Sequence, residues 1–455
     1  MKIFAKQAWL ANGWFDNVRL SIKSGKISQI ERDVVMQKGD ISVDTLLPAL
    51  ANLHSHTFQR AMAGMTEQKV ANKDSFWTWR TLMYQFLEHI SPEQYEAIAA
   101  LTFMEMQEAG YASVGEFHYV HHQQNGVRYD NVAELSNRIM AATAKTGIGL
   151  THLPVLYTYG GAKRLELSGG QLRFGNDVEQ FAKLVEQAKL GLKQLPDDAN
   201  IGIAPHSLRA TCPDDLTEIL KLDKCSPIHI HIAEQPKEVR DIKAWLGARP
   251  VEWLLDNYDV NSNWCLIHAT HMTEPETLNV AKSGATIGLC PITEANLGDG
   301  VFNGAAYLKA GGSFGIGSDS NIRISLTEEL RTLEYSQRLR DLNRNILADK
   351  DGSVGRSLYE NAAIGGAKAL NRNAGKIEIG YLADLISIDS DDVQLLGLQQ
   401  SQIFDGLCFA ADDRVVKNVW SAGRHMVKDG RHILKDEINQ NYAMAMQSLM
   451  AKINA

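Results

Sequence analysis

Two histidines separated by one serine, His54 and His56, are the first residues of the chain that suggest metal chemistry. The pair ends an apolar run, residues 46–53, that predicts a buried strand. Side chains two residues apart on a strand point to the same side, so both imidazoles would face one point. Because 14 histidines in 455 residues give about 0.4 such pairs by chance, this pair alone supplies only half of a metal site.

Ligand-type residues also end three apolar runs further along the chain. His231 ends residues 227–231, His268 ends residues 264–268, and Asp319 follows residues 314–318. Imidazole nitrogens with one carboxylate suit a divalent ion such as zinc that keeps one water, although iron or manganese also fits. Each residue alone also fits a structural role, such as Asp319 capping the next helix. Their joint position at four strand ends favours the metal site.

The alternation of apolar and amphipathic segments predicts an α/β fold. Residues 1 to about 47 contain short antiparallel strands, and from Leu46 to about Asn345 apolar strands alternate with helices, as in parallel βαβ units. Eight strands are predicted near residues 47–55, 112–119, 148–157, 200–206, 227–233, 263–268, 284–290 and 313–318. This number fits a (β/α)8 TIM-like barrel, whose active site lies at the carboxyl ends of the strands.

Strand patterns return near the C-terminus, at residues 375–389, 415–423 and 426–430. Neither chain end is large enough for a stable core alone, so both are expected to form one small β-sandwich domain. The predicted division is therefore residues 1–47 and 368–455 for the small domain, which includes a terminal helix, and 48–367 for the metal-dependent barrel.

Composition limits the classes of function. The chain has 44% hydrophobic and 22% charged residues and a formal charge of −8, which is typical of a globular protein and argues against nucleic acid as a partner. Its five cysteines have no CxxC spacing, so we expect reduced, buried thiols and a cytoplasmic protein. We find no apolar run long enough to cross a membrane.

The motifs resemble those of the amidohydrolase superfamily over nearly the whole chain. They are His54-Ser55-His56, His231 with Glu234 three residues later, His268, Ser318-Asp319 and the closing residues 380–385. The resemblance implies that His54, His56, His231 and Asp319 bind metal, while Glu234, His268 and Asp319 serve catalysis. The position of Glu234, just beyond a strand end, independently suits a proton shuttle.

The fourth predicted strand bears on the number of metal ions. Members of the superfamily with two metals commonly bridge them with a carboxylated lysine on that strand, and residues 201–206 contain no lysine. The resemblance therefore implies a single divalent ion, with Zn²⁺ as the expected metal, as in the deaminase branch.

Longer motifs within that branch resemble the formimidoylglutamate deiminases. They span residues 52–64, 116–122, 204–209 and 229–235. The resemblance implies hydrolysis of N-formimino-L-glutamate to N-formyl-L-glutamate and ammonia, a step of histidine degradation. It also suggests a homodimer.

Such a substrate has two carboxylates and a cationic amidine, so it requires donors for the first and acceptors for the second. Arginine matches a carboxylate with a planar fork, which makes Arg80 and Arg209 the expected clamps, assisted by Tyr119 and His206. Gln59 is placed to contact the formimino group. Arg80 also fits a solvated surface residue, His206 a structural residue behind a proline, and Tyr119 a strand end.

Two other functions compete with this interpretation. The first is an amidohydrolase-family deaminase of a purine or related ring substrate, which would use the same barrel and metal. A flat neutral base, however, gives no reason for two guanidinium groups. The second is a metal-free scaffold, which has no use for four imidazoles and a carboxylate directed at one cavity.

Overall fold

The computed structural model describes residues 1–67, 76–223, 225–350 and 352–453. Its strands follow the apolar and alternating runs of the sequence. They are β1 (Lys2–Leu10), β2 (Gly13–Lys23), β3 (Lys26–Glu31), β4 (Ile41–Pro48), β5 (Leu50–Ser55), β6 (Tyr111–His118), β7 (Gly149–Leu156), β8 (Asn200–Ile201), β9 (Ala204–Pro205), β10 (Ile228–Ile232), β11 (Trp264–His268), β12 (Thr286–Leu289), β13 (Ser313–Ile316), β14 (Leu385–Ile388), β15 (Val416–Ser421), β16 (Arg424–Lys428) and β17 (Arg431–His432).

The helices alternate with strands β5 to β13 and continue beyond them. They are α1 (Phe76–Leu87), α2 (Pro92–Glu108), α3 (Glu134–Thr146), α4 (Val178–Leu192), α5 (Pro213–Ile219), α6 (Pro236–Leu246), α7 (Pro250–Asn257), α8 (Glu274–Ser283), α9 (Pro291–Leu297), α10 (Gly304–Lys309), α11 (Leu326–Asp341), α12 (Val354–Ala369), α13 (Ser401–Phe409) and α14 (Lys435–Ile453). Short 3-10 helices cover Thr57–Met62, Gln124–Gly126, Gly169–Arg173 and Asp413–Val415.

The start of α2 illustrates how local sequence sets a helix boundary. Ser91 accepts a hydrogen bond from the backbone N–H of Gln94, the Gln94 side chain accepts one from the Ser91 N–H, and Pro92 occupies the first helical position. Such a capping box satisfies two amide groups that would otherwise lack partners. The helix then delivers the chain to β6, one of the strands that carry the candidate site.

Two groups of parallel strands form the centre of the molecule. β5, β6, β7 and β8 pair in parallel, β9 pairs with β7, and β10 to β13 form a second parallel set. Parallel bridges connect the sets: Ile203 with Ile228, Ser207 with His231, and Ser55 with Asp319. β5, β6, β7 and β10 to β12 are buried along their whole length, which explains their continuous apolar sequences. The α/β class is confirmed.

The fourth predicted strand, residues 200–206, is interrupted. It consists of two short pieces, β8 and β9, because the backbone changes partners between them: Gly202 N–H donates to His152 O and Ile203 N–H donates to Pro227 O. A Cβ atom on Gly202 would lie 2.4 Å from Pro227 O, so only glycine allows this close approach. The break lets one segment connect β7 with β10.

The two chain ends share one eight-stranded sheet, in the order β17-β16-β15-β14-β4-β1-β2-β3. β4 joins the ends, because it pairs in parallel with β1 and antiparallel with β14. The sheet has its own apolar core, which combines residues such as Ile3 and Leu20 from the start of the chain with Trp420 from its end. Strands from both ends thus lie together, as the sequence predicts.

The cysteines and helices bear on the remaining expectations from composition. Cys212, Cys265, Cys290 and Cys408 are buried, but Cys225 is exposed, so the prediction that all five are buried is wrong for this one. Cys225 lies in the loop between α5 and β10, outside the described strands and helices. Among the described residues, no helix combines the length and the apolar character needed to cross a membrane.

Candidate metal and active site

Four predicted metal ligands lie together at the carboxyl ends of three strands. His54 is in β5 and His56 directly follows it, His231 is in β10, and Asp319 follows β13. One potential ligand atom from each lies within 4.8 Å of the others, and all four residues are buried. His56 Nε2 is 3.2 Å from Asp319 Oδ1, and His54 Nε2 is 3.1 Å from His231 Nε2. The geometry is that of a compact set of donors around one point.

Backbone hydrogen bonds hold Asp319 against the histidine pair. Asp319 N–H donates to His54 O, and His56 N–H donates to Asp319 O, both over 2.9 Å. Asn52 Oδ1 accepts a hydrogen bond of 3.1 Å from Ser318 N–H. The Asn321 side chain donates a hydrogen bond of 3.1 Å to His56 O. The candidate ligands His54, His56 and Asp319 are therefore fixed to one another through the main chain.

The hydrogen bonds of the imidazoles leave their Nε2 atoms available. His56 Nδ1 lies 2.9 Å from Phe117 O and His231 Nδ1 lies 3.0 Å from His206 O. A carbonyl can only accept, so each ring carries a proton on Nδ1, and the neutral form of each ring then has its lone pair on Nε2. Neutral imidazoles with free lone pairs are the form that binds a metal ion.

The charge states of the cluster also suit a cation. Burial lowers the pKa of His54 to about 3 and lowers the pKa of His231 well below its ordinary value. For Asp319, burial raises the pKa, but the close imidazoles of His54 and His56 and the nearby charge of His268 outweigh it and bring the pKa well below the usual range. Two imidazoles that stay neutral and one carboxylate that stays ionised match the preferences of zinc.

The predicted catalytic residues His268 and Glu234 adjoin this cluster. His268 Nε2 is 3.8 Å from Glu234 Oε1 and 3.7 Å from Asp319 Oδ2. Burial lowers the pKa of His268, but the charge of Glu234 and a hydrogen bond to Glu294 outweigh it and raise the pKa to about 10. The structure thus brings Glu234, His268 and Asp319 together.

The backbone at these strand ends adopts an unusual conformation. His268 has φ +68°, Asp319 +48°, Ala233 +51° and Ala269 +49°. The left-handed region costs a residue other than glycine about 1 kcal/mol, so it persists only where surrounding contacts enforce it. Its concentration beside the candidate ligands indicates that the backbone is bent to aim these side chains.

A pocket with an empty volume of about 560 Å³ opens onto the cluster. His56, His231, Glu234, His268 and Asp319 line one part of it. The pocket is also lined by every predicted substrate-binding residue: Gln59, Arg80, Tyr119, His206 and Arg209.

Gln59 and Tyr119 form a pair in the wall of this pocket. Gln59 Nε2 donates to Tyr119 Oη at 2.7 Å, while Gln59 Oε1 is buried with no hydrogen-bond partner within the described parts of the chain. His206 Nδ1 lies 3.0 Å from Ser207 Oγ. Gln59, one of the residues that line the pocket, thus has an acceptor oxygen without a hydrogen-bond partner among the described residues.

The two arginines occupy different surroundings. Arg80 is on α1 and donates a hydrogen bond to the hydroxyl of Tyr84. Arg209 Nη2 lies 3.8 Å from Glu234 Oε2. Arg209 thus lies beside a carboxylate of the candidate site, whereas Arg80 lies beside a tyrosine hydroxyl. The candidate site therefore holds the guanidinium group of Arg209 beside Glu234 and that of Arg80 beside Tyr84.

Several residues of the site were not predicted from the sequence. Tyr84, Tyr157 and Phe174 line the pocket from α1, from a position just after β7 and from the loop before α4. Glu294 contacts His268 from the first turn of α9. A search for acidic residues in the first turn after each strand would have found Glu294, because that turn lies at the active-site edge.

Nearly the whole chain matches known protein families. Residues 45–426 match the amidohydrolase family, and residues 1–42 match the N-terminal domain of the formimidoylglutamate deiminase HutF. A formimidoylglutamate deiminase from Pseudomonas aeruginosa is 44% identical over 98% of this chain and 99% of its own length. A 5-methylthioadenosine/S-adenosylhomocysteine deaminase from Bacillus cereus is 25% identical, over 92% of this chain and 89% of its own.

Solved structures give the same relationship. A crystal structure of an amidohydrolase from Brucella melitensis superposes with a TM-score of 0.94 at 46% identity and covers 99% of both chains. An adenosine deaminase from Xanthomonas campestris with bound zinc shares the fold, with a TM-score of 0.81 at 20% identity over 99% of this chain and 98% of its own. The chain therefore belongs to the amidohydrolase family and carries the N-terminal domain of the formimidoylglutamate deiminases.

Proposed function

We propose that the protein hydrolyses N-formimino-L-glutamate to N-formyl-L-glutamate and ammonia, a step of histidine degradation. The observation that carries the proposal is the pocket, which combines the His and Asp cluster with the guanidinium groups of Arg80 and Arg209. A substrate with two carboxylates and an amidine gives each of these groups a partner. The 44% identical relative bears the name of this activity.

The cluster is proposed to bind one divalent metal ion, most simply Zn²⁺. His54, His56, His231 and Asp319 would hold it, since their donor atoms converge and two of the rings keep Nε2 free through hydrogen bonds at Nδ1. When bound, such an ion lowers the pKa of water toward about 7 and so supplies a nucleophile at neutral pH.

The residues around the cluster are proposed to guide the protons of the reaction. Water adds to the formimino carbon, the bond from that carbon to the terminal nitrogen breaks, and ammonia leaves while the formyl group stays on glutamate. Asp319 accepts a proton from the attacking water, which His268 orients. Glu234 hydrogen-bonds the amidine nitrogen, takes the proton from the newly formed hydroxyl group and delivers it to that nitrogen, which departs as ammonia.

The remaining pocket residues are proposed to recognise the substrate. Arg80 and Arg209 would bind carboxylates through paired N–H groups, with help from Tyr119 and His206. Because Arg209 lies beside Glu234, it can reach a carboxylate close to the reacting carbon. The Oε1 atom of Gln59, which has no hydrogen-bond partner in the described ranges, can accept a hydrogen bond from the amidine.

We further propose the domain architecture, the oligomeric state and the cellular location that the sequence predicts. The parallel strands and their bridges support a closed (β/α)8 barrel over residues 48–367, and the separate core of the chain-end sheet supports a small β-sandwich domain. Residues 1–47 and 368–455 form that domain. The protein is proposed to act as a homodimer in the cytoplasm, where free cysteines stay reduced.

Ammonia release measured with N-formimino-L-glutamate, guanine and cytosine in parallel tests the function. We expect release from N-formimino-L-glutamate alone, with about one equivalent of zinc in the same sample. Release only from a ring substrate would favour the purine-type deaminase instead. Full activity after complete removal of metal would contradict the metal-dependent mechanism.

A further inference from the structure

A third carboxylate, Glu294, contacts the proposed catalytic histidine from the side opposite its other partners. The Nε2 atom of His268 faces Glu234 and Asp319, at 3.8 Å and 3.7 Å. Its Nδ1 atom lies 3.1 Å from Glu294 Oε1. The two nitrogens of one ring therefore have different tasks, and Glu294 meets the one that does not face the pocket.

Glu294 is itself held rigidly. It is buried in the first turn of α9, directly after β12. Its Oε1 atom also accepts a hydrogen bond of 2.9 Å from the backbone N–H of Cys290. A carboxylate oxygen with two N–H donors in a buried setting has a defined position. Glu294 can therefore hold the imidazole of His268 in one orientation.

The imidazole of His268 requires a side-chain partner that fixes its orientation, because the backbone of this residue is strained. His268 has φ +68° and is followed by Ala269 at +49°, so the end of β11 bends in the left-handed region. We propose that Glu294 is a positioning residue: it fixes the ring plane of His268 and keeps a proton on Nδ1, so that Nε2 is presented to the reaction. The inference rests on the proposed function, because it assigns a task within that mechanism.

A second metal site is the main competing explanation for the same residues. His268, Cys290 and Glu294 have potential ligand atoms within 4.8 Å of one another. However, Oε1 of Glu294 already accepts two hydrogen bonds. Burial also raises the pKa of the Cys290 thiol well above its ordinary value, which disfavours the thiolate that metals bind. The contacts therefore favour positioning over metal binding.

The test compares E294A with E294Q in the metal-loaded enzyme. E294A frees the imidazole, so we expect kcat to fall about 10–100-fold, the usual cost of losing such a supporting partner. KM should stay within about twofold, because the arginines and Gln59 are untouched. Metal content should remain about one equivalent.

The conservative variant separates positioning from a merely structural role. In E294Q the Cys290 N–H still requires an acceptor, so the glutamine oxygen stays in place and also receives the Nδ1 proton. We expect E294Q to recover most of the kcat lost in E294A. A matched control is E334A, which removes another buried carboxylate that accepts backbone N–H groups, from Ile346 and Leu347. It should lower Tm without lowering kcat.

Each outcome either supports or overturns the inference. A kcat of E294A within twofold of the unchanged enzyme overturns it, as does an E294Q variant no more active than E294A. Two metal equivalents in the unchanged enzyme, with one lost in E294A, assign a second metal site instead. Failure of the unchanged enzyme to release ammonia from N-formimino-L-glutamate would reject the proposed function, a result distinct from all of these.

Discussion

The molecule buries two groups of histidines that differ in their neighbours. The site cluster contains His54, His56, His231 and His268. The outer cluster consists of His118, His121 and His152, whose ring centroids lie 5.3 Å apart for His118 and His121 and 5.1 Å apart for His118 and His152. Both groups are buried and lie on or beside the parallel strands. Burial of several imidazoles alone therefore does not distinguish a metal site.

The difference lies in the partners. In the outer cluster, His118 meets the hydroxyl of Tyr95 at 3.2 Å, His152 the hydroxyl of Ser136 at 3.0 Å, and His121 the carbonyl of Val155 at 2.9 Å. The histidines of the site cluster instead lie beside three carboxylates, those of Asp319, Glu234 and Glu294. Carboxylates, placed by strand ends far apart in sequence, are what make the site cluster suited to a cation and to proton transfer.

The largest expected effect comes from removing one member of each cluster. His231→Ala takes a ligand from the site, so we expect loss of bound metal and a fall in kcat/KM of about 10³-fold or more. His152→Ala, the matched change in the outer cluster, should leave metal content and kcat nearly unchanged while lowering Tm. Metal analysis and kinetics on both variants check this. Loss of metal in His152→Ala would erase the proposed distinction.

The next effect concerns the carboxylate that moves protons. Glu234→Gln keeps size and hydrogen bonding but cannot transfer a proton, so kcat should fall about 10²–10⁴-fold. Because Glu234 is outside the four-ligand set, metal content should stay at about one equivalent. Steady-state kinetics with metal analysis decide the point, and near-normal turnover would exclude the proposed role.

A smaller effect is expected at the guanidinium beside Glu234. Arg209→Ala removes a charged donor to the substrate, which is worth about 1.5–3 kcal/mol, so kcat/KM should fall about 10–100-fold, mainly through KM. Arg209→Lys should restore only part of this, since lysine lacks the paired donors. An unchanged KM in Arg209→Ala would show that the substrate carboxylates are bound elsewhere.

The smallest effect concerns stability as a function of pH. Burial lowers the pKa of His121 and His152 to about 3 in the folded protein, against about 6.5 when unfolded. The unfolded chain thus binds more protons below pH 6.5, and the free energy of unfolding should fall as pH decreases toward the folded pKa. Each residue contributes up to about 1.4 kcal/mol per pH unit.

The variant His152→Asn isolates this contribution. Denaturant unfolding between pH 7 and 5 should show a shallower pH dependence for His152→Asn than for the unchanged protein. Equal slopes in the two proteins would mean that folding leaves the pKa of His152 at its unfolded value. That result would remove the contrast between neutral outer histidines and the charged His268.

The sequence predicts the strand ends of this site well because two local signals agree there. Apolar runs mark buried parallel strands, and ligand-type residues such as His54, His231 and Asp319 stand where those runs stop. The helix at Pro92–Glu108 is also specified locally, by its capping box. These features depend on residues within a few positions of each other, so no long-range contact is needed to infer them.

Features set by contacts between distant segments were missed. The break at Gly202 depends on Leu153 in β7 and on Pro227, which directly precedes β10. Glu294 stands out as a site residue only when its contact with His268 is known. The short distance between Arg209 and Glu234 likewise depends on the contact between β9 and β10. The motif at residues 116–122 contains three histidines, yet no local signal separates His118 and His121 from metal ligands.

The reciprocal main-chain bonding between His54, His56 and Asp319 has a consequence for synthesis of the protein. The supporting pair Asn52 and Ser318 is 266 residues apart. A nascent polypeptide has made its first ligands long before the ribosome adds the last one, so a prematurely terminated product lacks a complete set. With the ligand set proposed above, only chains translated past Asp319 contain every residue of the metal site, so we expect shorter fragments to bind no ion there.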